Sequence, residues 1–541
     1  MRRIKRTFAA LAVVAMVAAA CGGGDDASDA PAEESAAEEE AAEEPAAEEE
    51  AAAEEPAEES GGAASEEDTA AALEEAAEED AEAEAAGAPE TFEDWQALWA
   101  SERQAVIDRA VAEGWGLDEA TGIATGPEGF TLDTNLCPEG WSNTEGLDDG
   151  VITIGATSAT SGSLAAYGNI YAGLGYYFDY LNSEGGIGGY TFEVDLKDDE
   201  YVATKTIEAW TEFFQSTKPL VGHTLGSPNT FSVQPEFNAQ CVPQVMVATG
   251  HQAWGDPENH PWTTGYQLAY SSEALLWGAW IEANTEPGVT VGAIIMDNDF
   301  GLAYEQAFAD FAENSDHIAA FEFVRHDPAA ATLTNEVTTV ASKIGEGDVF
   351  ISMTAGNPCV LAIQEAARAG ITETAAAFFT PSVCKAVSAY MAPAGEAADA
   401  WYIVGGGIKD TTDPKYADDL YISWANATLE EMGGDATISL QGEGFANRGF
   451  AWENMFRIAA EMPGGITRVN LVLAQRGMEM THPALLDGIG FGMNGNADAY
   501  FIEGSDISQF DNANQTWIQE GGAIDLSGKS PNCPWVAGEG C

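Results

Sequence analysis

Val151-Ile152-Thr153-Ile154-Gly155 opens the part of the chain that decides the fold, and Val289-Thr290-Val291-Gly292-Ala293-Ile294-Ile295 opens it a second time. Each is a short, almost wholly apolar run, as expected of a strand buried on both faces. After the first run, Ser161-Gly162 makes a break and a helical pattern covers about 164–181. A glycine-rich turn at 182–189, an alternating strand at 190–196, a helix at about 201–215 and a strand at 219–222 follow. A loop, a helix and the strand 244–248 complete this unit. After the second run the rhythm repeats: helix 301–313, strand 318–324, helix 333–344, strand 348–353 and helix 360–369. Strand–helix alternation at this pitch builds βαβ units on a parallel sheet. Two such units, joined near 266–272, predict an α/β molecule of two lobes, each a parallel sheet flanked by helices. Ligands of open parallel sheets sit beyond the carboxyl ends of the strands, so facing lobes line one cleft.

Ahead of this body the composition changes twice. From Thr91, the residues Phe92, Trp95, Leu98, Trp99, Val106, Ile107 and Val111 recur at helical spacing, and Gly114 supplies a stop. The helix docks either on the main body or on a partner. The turn-rich stretch 122–149, with Cys137-Pro138 inside it, reads as an ordered arm. Residues 27–89 are almost wholly Ala, Glu, Pro, Ser, Asp and Gly, which offer no core and predict a disordered acidic spacer. At the start, Arg2, Arg3, Lys5 and Arg6 precede an apolar run at 8–20. Thirteen residues are too few for a membrane span, which takes about 20. A charged start, a short apolar middle and the small residues Ala18 to Ala20 before Cys21 make a secretory signal. The expected division is a signal at 1–20, a spacer at 21–90, and a helical pre-domain at 91–149. Lobe 1 then takes 150–270 with about 405–500, and lobe 2 takes 271–404 with about 501–541.

The formal charge of the 541 residues is −70. Residues 1–90 hold 28 acids and 4 bases; the other 62 acids and 16 bases leave −46 on the rest. Such a surface repels nucleic acid and anionic lipid, so neither is expected as a partner. Beyond Cys21 lie Cys137, Cys241, Cys359, Cys384, Cys533 and Cys541. An even count in an exported chain points to disulfides, and with no C-x-x-C or Cys/His cluster neither a metal nor a cofactor is expected. Fifteen pairings are open to six cysteines. The set favoured here joins Cys359 to Cys384, Cys533 to Cys541 and Cys137 to Cys241.

Several stretches in fixed order over about 150–525 resemble the type I periplasmic binding proteins of the branched-chain amino-acid class, the receptors of ABC importers. They include Ser161-Gly162-Ser163 with Tyr167-Gly168, Asn182-Ser183-Glu184-Gly185-Gly186-Ile187-Gly188-Gly189, and Gly226-Ser227-Pro228-Asn229. The most specific is Val242-Pro243-Gln244-Val245-Met246-Val247-Ala248-Thr249-Gly250, running on to Trp254-Gly255-Asp256-Pro257. Asp297-Asn298-Asp299-Phe300-Gly301 and Phe445-Ala446-Asn447-Arg448-Gly449-Phe450 follow. The resemblance implies a hinged pair of lobes that closes on a small polar solute, acts as a monomer, and delivers the solute to permease subunits. The start of the chain resembles a bacterial lipobox, with Ala18 where leucine is usual, which implies a lipid on Cys21 that holds the protein at the outer face of the membrane.

Carried over motif by motif, the resemblance implies that Tyr167 covers the ligand. It gives Ser227 and Thr249 hydroxyls to a carboxylate, puts Phe300 on the far wall, and sets Asn357 and Ser382 on the corresponding loops of the second lobe. Hydroxyls and backbone donors hold an anion without burying an unpaired positive charge. The amino-acid binders of the class present an acid to the ligand ammonium where this chain has Ser382. The expectation is therefore either that Asp297 or Asp299 takes that place, or that the ligand is not an α-amino acid. No nucleophile–base or metal signature points to an enzyme. A sensory receptor of the same fold, or an exported α/β enzyme, are the competing readings.

Overall fold

The computed structural model describes residues 61–78, 89–536 and 540–541. The signal, Cys21 and the spacer as far as residue 60 lie outside the described residues. The first apolar run becomes the strand Val151–Ser158, paired in parallel with Thr191–Asp198 on one side and Val221–Thr224 on the other. The second becomes Val289–Met296, an inner strand of a seven-stranded sheet. That sheet runs, in spatial order, Thr516–Ile524, Ser505–Asp511, Tyr402–Val404, Ala377–Thr380, Val349–Met353, Val289–Met296 and Ile318–His326. Its last five strands are parallel, and the two from the end of the chain close one edge antiparallel. Doubly covered parallel strands explain the continuous apolar runs: Val291, Ala293, Ile294 and Ile295 are all fully buried.

The segment 244–248, read as a strand, makes only isolated parallel bridges, Gly222 to Gln244, Leu225 to Ala248 and Gln244 to Thr263. Met246 explains this, because its φ of 49° takes a buried, non-glycine residue out of the extended region. The core beneath the first sheet joins Ile152 and Ile154 to Phe178, and also to Tyr421, Phe450, Trp452, Phe456 and Leu471. The helices Leu420–Glu431, Gly449–Glu461 and Arg468–Arg476 therefore return to the first sheet after the chain has built most of the second. This crossing and recrossing gives the two-lobed α/β architecture.

The helix predicted after Thr91 runs from Phe92 to Glu113 and docks on the main body. Thr91 caps its first turn by accepting from the Asp94 N–H, and Gly114, at φ 74°, ends it. Trp99 packs between Tyr421 and Phe450, and its indole donates to the Thr481 carbonyl at 3.1 Å. The arm carries a small antiparallel sheet of Gly116–Asp118, Ile123–Thr125 and Thr131–Asp133. It is stapled by the Cys137–Cys241 disulfide. Cys359–Cys384 and Cys533–Cys541 complete the favoured pairing.

The reading of 27–89 as one structureless spacer fails for part of its length. Glu66–Glu78 is a helix lying on the helix Tyr270–Asn284 and the edge strand Thr516–Ile524. Ser271 Oγ donates to the Gly62 carbonyl at 2.8 Å, and Lys529 pairs with Asp68 at 3.0 Å. No large side chain is needed, because the helix backbone meets a glycine. A Cβ on Gly521 would lie 2.3 Å from the Ala76 carbonyl oxygen. Small residues let two backbones approach, and that contact leaves no signal in an alanine count.

Candidate functional site

Between the lobes lies a cavity of about 90 Å³. The first lobe contributes Leu164, Tyr167, Tyr201 and Leu225; the second contributes Tyr270, Phe300, Ala355 and Ser382. Most of the wall is therefore aliphatic or aromatic, with Gln267, Ser382, Lys385, Glu443 and Arg448 as its polar exceptions.

Tyr167 ends the short turn Ala165–Tyr167, just before the helix Gly168–Ser183. Its ring lines the cavity while its hydroxyl works across the gap. It donates to the Val383 carbonyl at 2.9 Å and accepts from the Gly356 N–H at 3.1 Å. The Asn357 N–H donates to the Ser163 carbonyl, and Ser163 Oγ to the Pro328 carbonyl. These contacts hold the lobes closed on one another. Removing the hydroxyl strands the buried Gly356 N–H and the half-buried Val383 carbonyl, at about 1–3 kcal/mol. Tyr167→Phe is expected to open a measurable fraction of the molecules, seen as a rise in the radius of gyration by small-angle scattering. An unchanged radius would show that the hydroxyl does not hold the lobes.

Phe300 begins the second lobe's helix Asp299–Asn314, where Asn298 caps by accepting from the Phe300 and Gly301 N–H groups. It packs on Tyr270 and Tyr304 and faces the cavity. Ser382 also reaches the wall, but both its donors are committed: its N–H and Oγ–H go to Glu273 at 2.6 and 2.9 Å. Glu273 is fully buried, accepts further from the Tyr304 hydroxyl, and is pushed up to about 7 by burial. Ser227 and Thr249 stand just behind the wall, bonded to each other at 2.7 Å, while their neighbours Gly226 and Ala248 line it. Asn357 is exposed and contributes its backbone rather than its side chain. The structure thus brings Tyr167, Phe300 and Ser382 together on the wall, sets Ser227 and Thr249 one layer back, and leaves Asn357 outside. Of the two acids sought in place of a carboxylate at 382, Asp297 is exposed and 3.7 Å from Arg325, and neither it nor Asp299 lines the cavity.

Sequence reasoning missed Glu443 and Arg448. They sit on the π-helical turn Glu443–Arg448, a form of helix common at functional sites. The turn reaches the cavity because its backbone touches that of Gly168–Ser183: a Cβ on Gly444 would lie 1.9 Å from the Ile170 carbonyl oxygen, and one on Gly173 would lie 2.0 Å from that of Gln441. Arg448 is 2% exposed and stacks over the Tyr266 ring at 4.8 Å. It donates to the Met246 carbonyl at 3.4 Å, turned aside by the left-handed backbone there, and to Gln267 Oε1 at 3.2 Å. Glu443 faces Arg448 Nε at 3.4 Å, and burial raises its carboxyl above the ordinary range. The signal was present: an arginine inside an apolar run, in a body with 62 acids and only 16 bases.

Residues 151–496 match the sequence profile of a family described as "periplasmic binding protein". The chain belongs to that family. No curated protein matches its sequence closely enough to count as a relative. Among solved structures, this binding protein is similar to a branched-chain amino-acid ABC transporter protein of Thermus thermophilus with bound valine. The identity is 15%, covering 70% of this chain and 97% of that one, with a TM-score of 0.59. It is also similar to a fatty acid ABC transporter substrate-binding protein of Thermomonospora curvata, at 16%, 72% and 97%, TM-score 0.57. A third is a solute binding protein of an ABC transporter from Rhodopseudomonas palustris in complex with 3,4-dihydroxy benzoic acid, at 14%, 69% and 97%, TM-score 0.56. At these identities the likeness is one of fold. The family profile begins where the N-terminal helices and arm of this binding protein end. Among the described residues no helix is long and apolar enough to cross a membrane.

Proposed function

We propose that this binding protein captures a small organic solute, an amino acid, amide or small carboxylate, in the interlobe cleft and delivers it to the permease of an ABC importer. The observation that carries the reading is a cavity between the lobes at the carboxyl ends of two sheets, walled by rings and aliphatic chains with a few polar groups converging on it. Tyr167, Phe300 and Ser382 are the wall contacts from the two lobes, with Ser227 and Thr249 fixing the backbone that lines the cavity at Gly226 and Ala248. A lipid on Cys21 retains the receptor outside the cytoplasm. Solutes carried by proteins of this fold, among them valine, a fatty acid and a benzoate, share an acid group and an apolar body. The test is a thermal-shift screen of the mature protein against amino acids, their amides and simple carboxylates. A saturable rise in melting temperature without turnover of the solute is expected; chemical conversion of the solute would replace the receptor with an enzyme.

A further inference from the structure

We propose that Arg448 selects the solute by its carboxylate, and that the solute is a monocarboxylate with an apolar body and no ammonium group. The proposal rests on the receptor reading of the cleft. Two cations reach the wall, and they differ in what they have left to give. Lys385 has three N–H donors and three acceptors: the carbonyls of Gly405 at 3.1 Å and Ile408 at 2.7 Å, and Asp506 Oδ1 at 3.4 Å. Arg448 has five donors, of which two are taken, by Met246 and Gln267. Its Nε is ion-paired with Glu443 at 3.4 Å but makes no hydrogen bond, so that pair leaves its N–H directions unfilled. A guanidinium 2% exposed and with donors to spare is costly to leave so, and a planar carboxylate is the group that fits it, through paired N–H bonds.

An ammonium finds no comparable place. It needs acceptors for three N–H bonds. The Glu273 oxygens are occupied by Ser382 and Tyr304, and the Ser227 and Thr249 hydroxyls bond each other. Glu443 already faces Arg448, and a ligand charge drawn to it would take it from that partner. The rest of the wall, including Leu164, Leu225, Tyr270 and Phe300, suits an uncharged body.

Calorimetric titration of the mature protein with isocaproate, leucine and isocaproamide separates the charges at one skeleton, and benzoate with benzamide repeats the comparison on a flat one. At least one acid is expected to bind about 10-fold or more tighter than its amide, and leucine more weakly than isocaproate. Arg448→Gln is expected to cost the bound acid about 100-fold in affinity, with Arg448→Lys in between. Glu443→Gln, which removes the competing anion from Arg448, is expected to tighten binding of the acid. Urea midpoints of the variants confirm that they are folded. An amide that binds as tightly as its acid overturns the proposal, as does Arg448→Gln without effect in a folded protein, or leucine binding best and needing Glu443. If neither acid binds while an amide does, Arg448 is not the selector and the receptor reading survives; if no probe of any charge binds, both fall.

Discussion

Gly444→Ala is expected to lower stability by about 3 kcal/mol and to weaken solute binding in the same protein, a larger effect than one methyl group normally has. Overpacking a well-filled site costs about 1–3 kcal/mol, and the upper end applies when the obstacle is backbone rather than a movable side chain. Here it is the Ile170 carbonyl, which would lie 1.9 Å from the new carbon. The Glu443–Arg448 turn has to move off the helix Gly168–Ser183, and Arg448 moves with it. Gly173→Ala strikes the reciprocal contact at Gln441 and should behave alike. Urea unfolding and titration with a bound solute check both halves. A loss under about 0.5 kcal/mol with affinity unchanged would show that the crossing has slack.

The second large effect is in the pH profile, where two sets of buried groups oppose each other. Burial pulls His223, His251 and His482 each down to about 3 from 6.5. The unfolded chain protonates these imidazoles as pH falls through 6.5 and the folded protein does not until about 3. The stability they contribute is thus complete above 6.5 and lost on acidification. Burial raises Glu273 to about 7 from 4.5, and raises Asp498 and Glu503, which also repel each other. A carboxyl of this kind takes its proton in the folded state first, so the folded state gains as pH falls from 7 towards 4.5. Between pH 7 and pH 5 each histidine lowers stability by about 2 kcal/mol and Glu273 raises it by about as much, with Asp498 and Glu503 acting in the same direction as Glu273. Stability is therefore expected to be nearly flat over that interval. Below about pH 4, Glu273 and Glu503 are mostly protonated in both states, and the three histidines together remove about 4 kcal/mol per pH unit. Urea midpoints at pH 7, 5, 4 and 3.5 test this. A steady fall already complete by pH 5 would mean that the carboxyls do not offset the histidines.

How far the sequence could be read depended on whether a residue's role is carried by its own side chain. The strands at 151 and 289 were legible because burial on both faces leaves no choice but an apolar run. Tyr167, Phe300 and Ser382 were found by ordered motifs, and all three reach the cavity wall. The helix Glu66–Glu78 was not legible, since its packing depends on the absence of a side chain at Gly521, some 440 positions away. Arg448 stands within a motif but is not legible as a site residue there, because its meaning lies in which of its donors are satisfied, and that depends on Met246 and Gln267 from other parts of the chain. The committed Ser382 hydroxyl has the same origin: its partner, Glu273, lies 109 residues earlier.

The two helices ahead of the arm are fastened to different lobes, Glu66–Glu78 to the seven-stranded sheet and its helix Tyr270–Asn284, and Phe92–Glu113 to the core that holds Tyr421 and Phe450. The load path follows from this. A pull on the chain ahead of residue 61 is taken first by the Gly62–Ser271 bond, the Asp68–Lys529 pair and the bed around Gly521, all on the second lobe. The helix Phe92–Glu113, on the first lobe, comes later along the chain than that mooring.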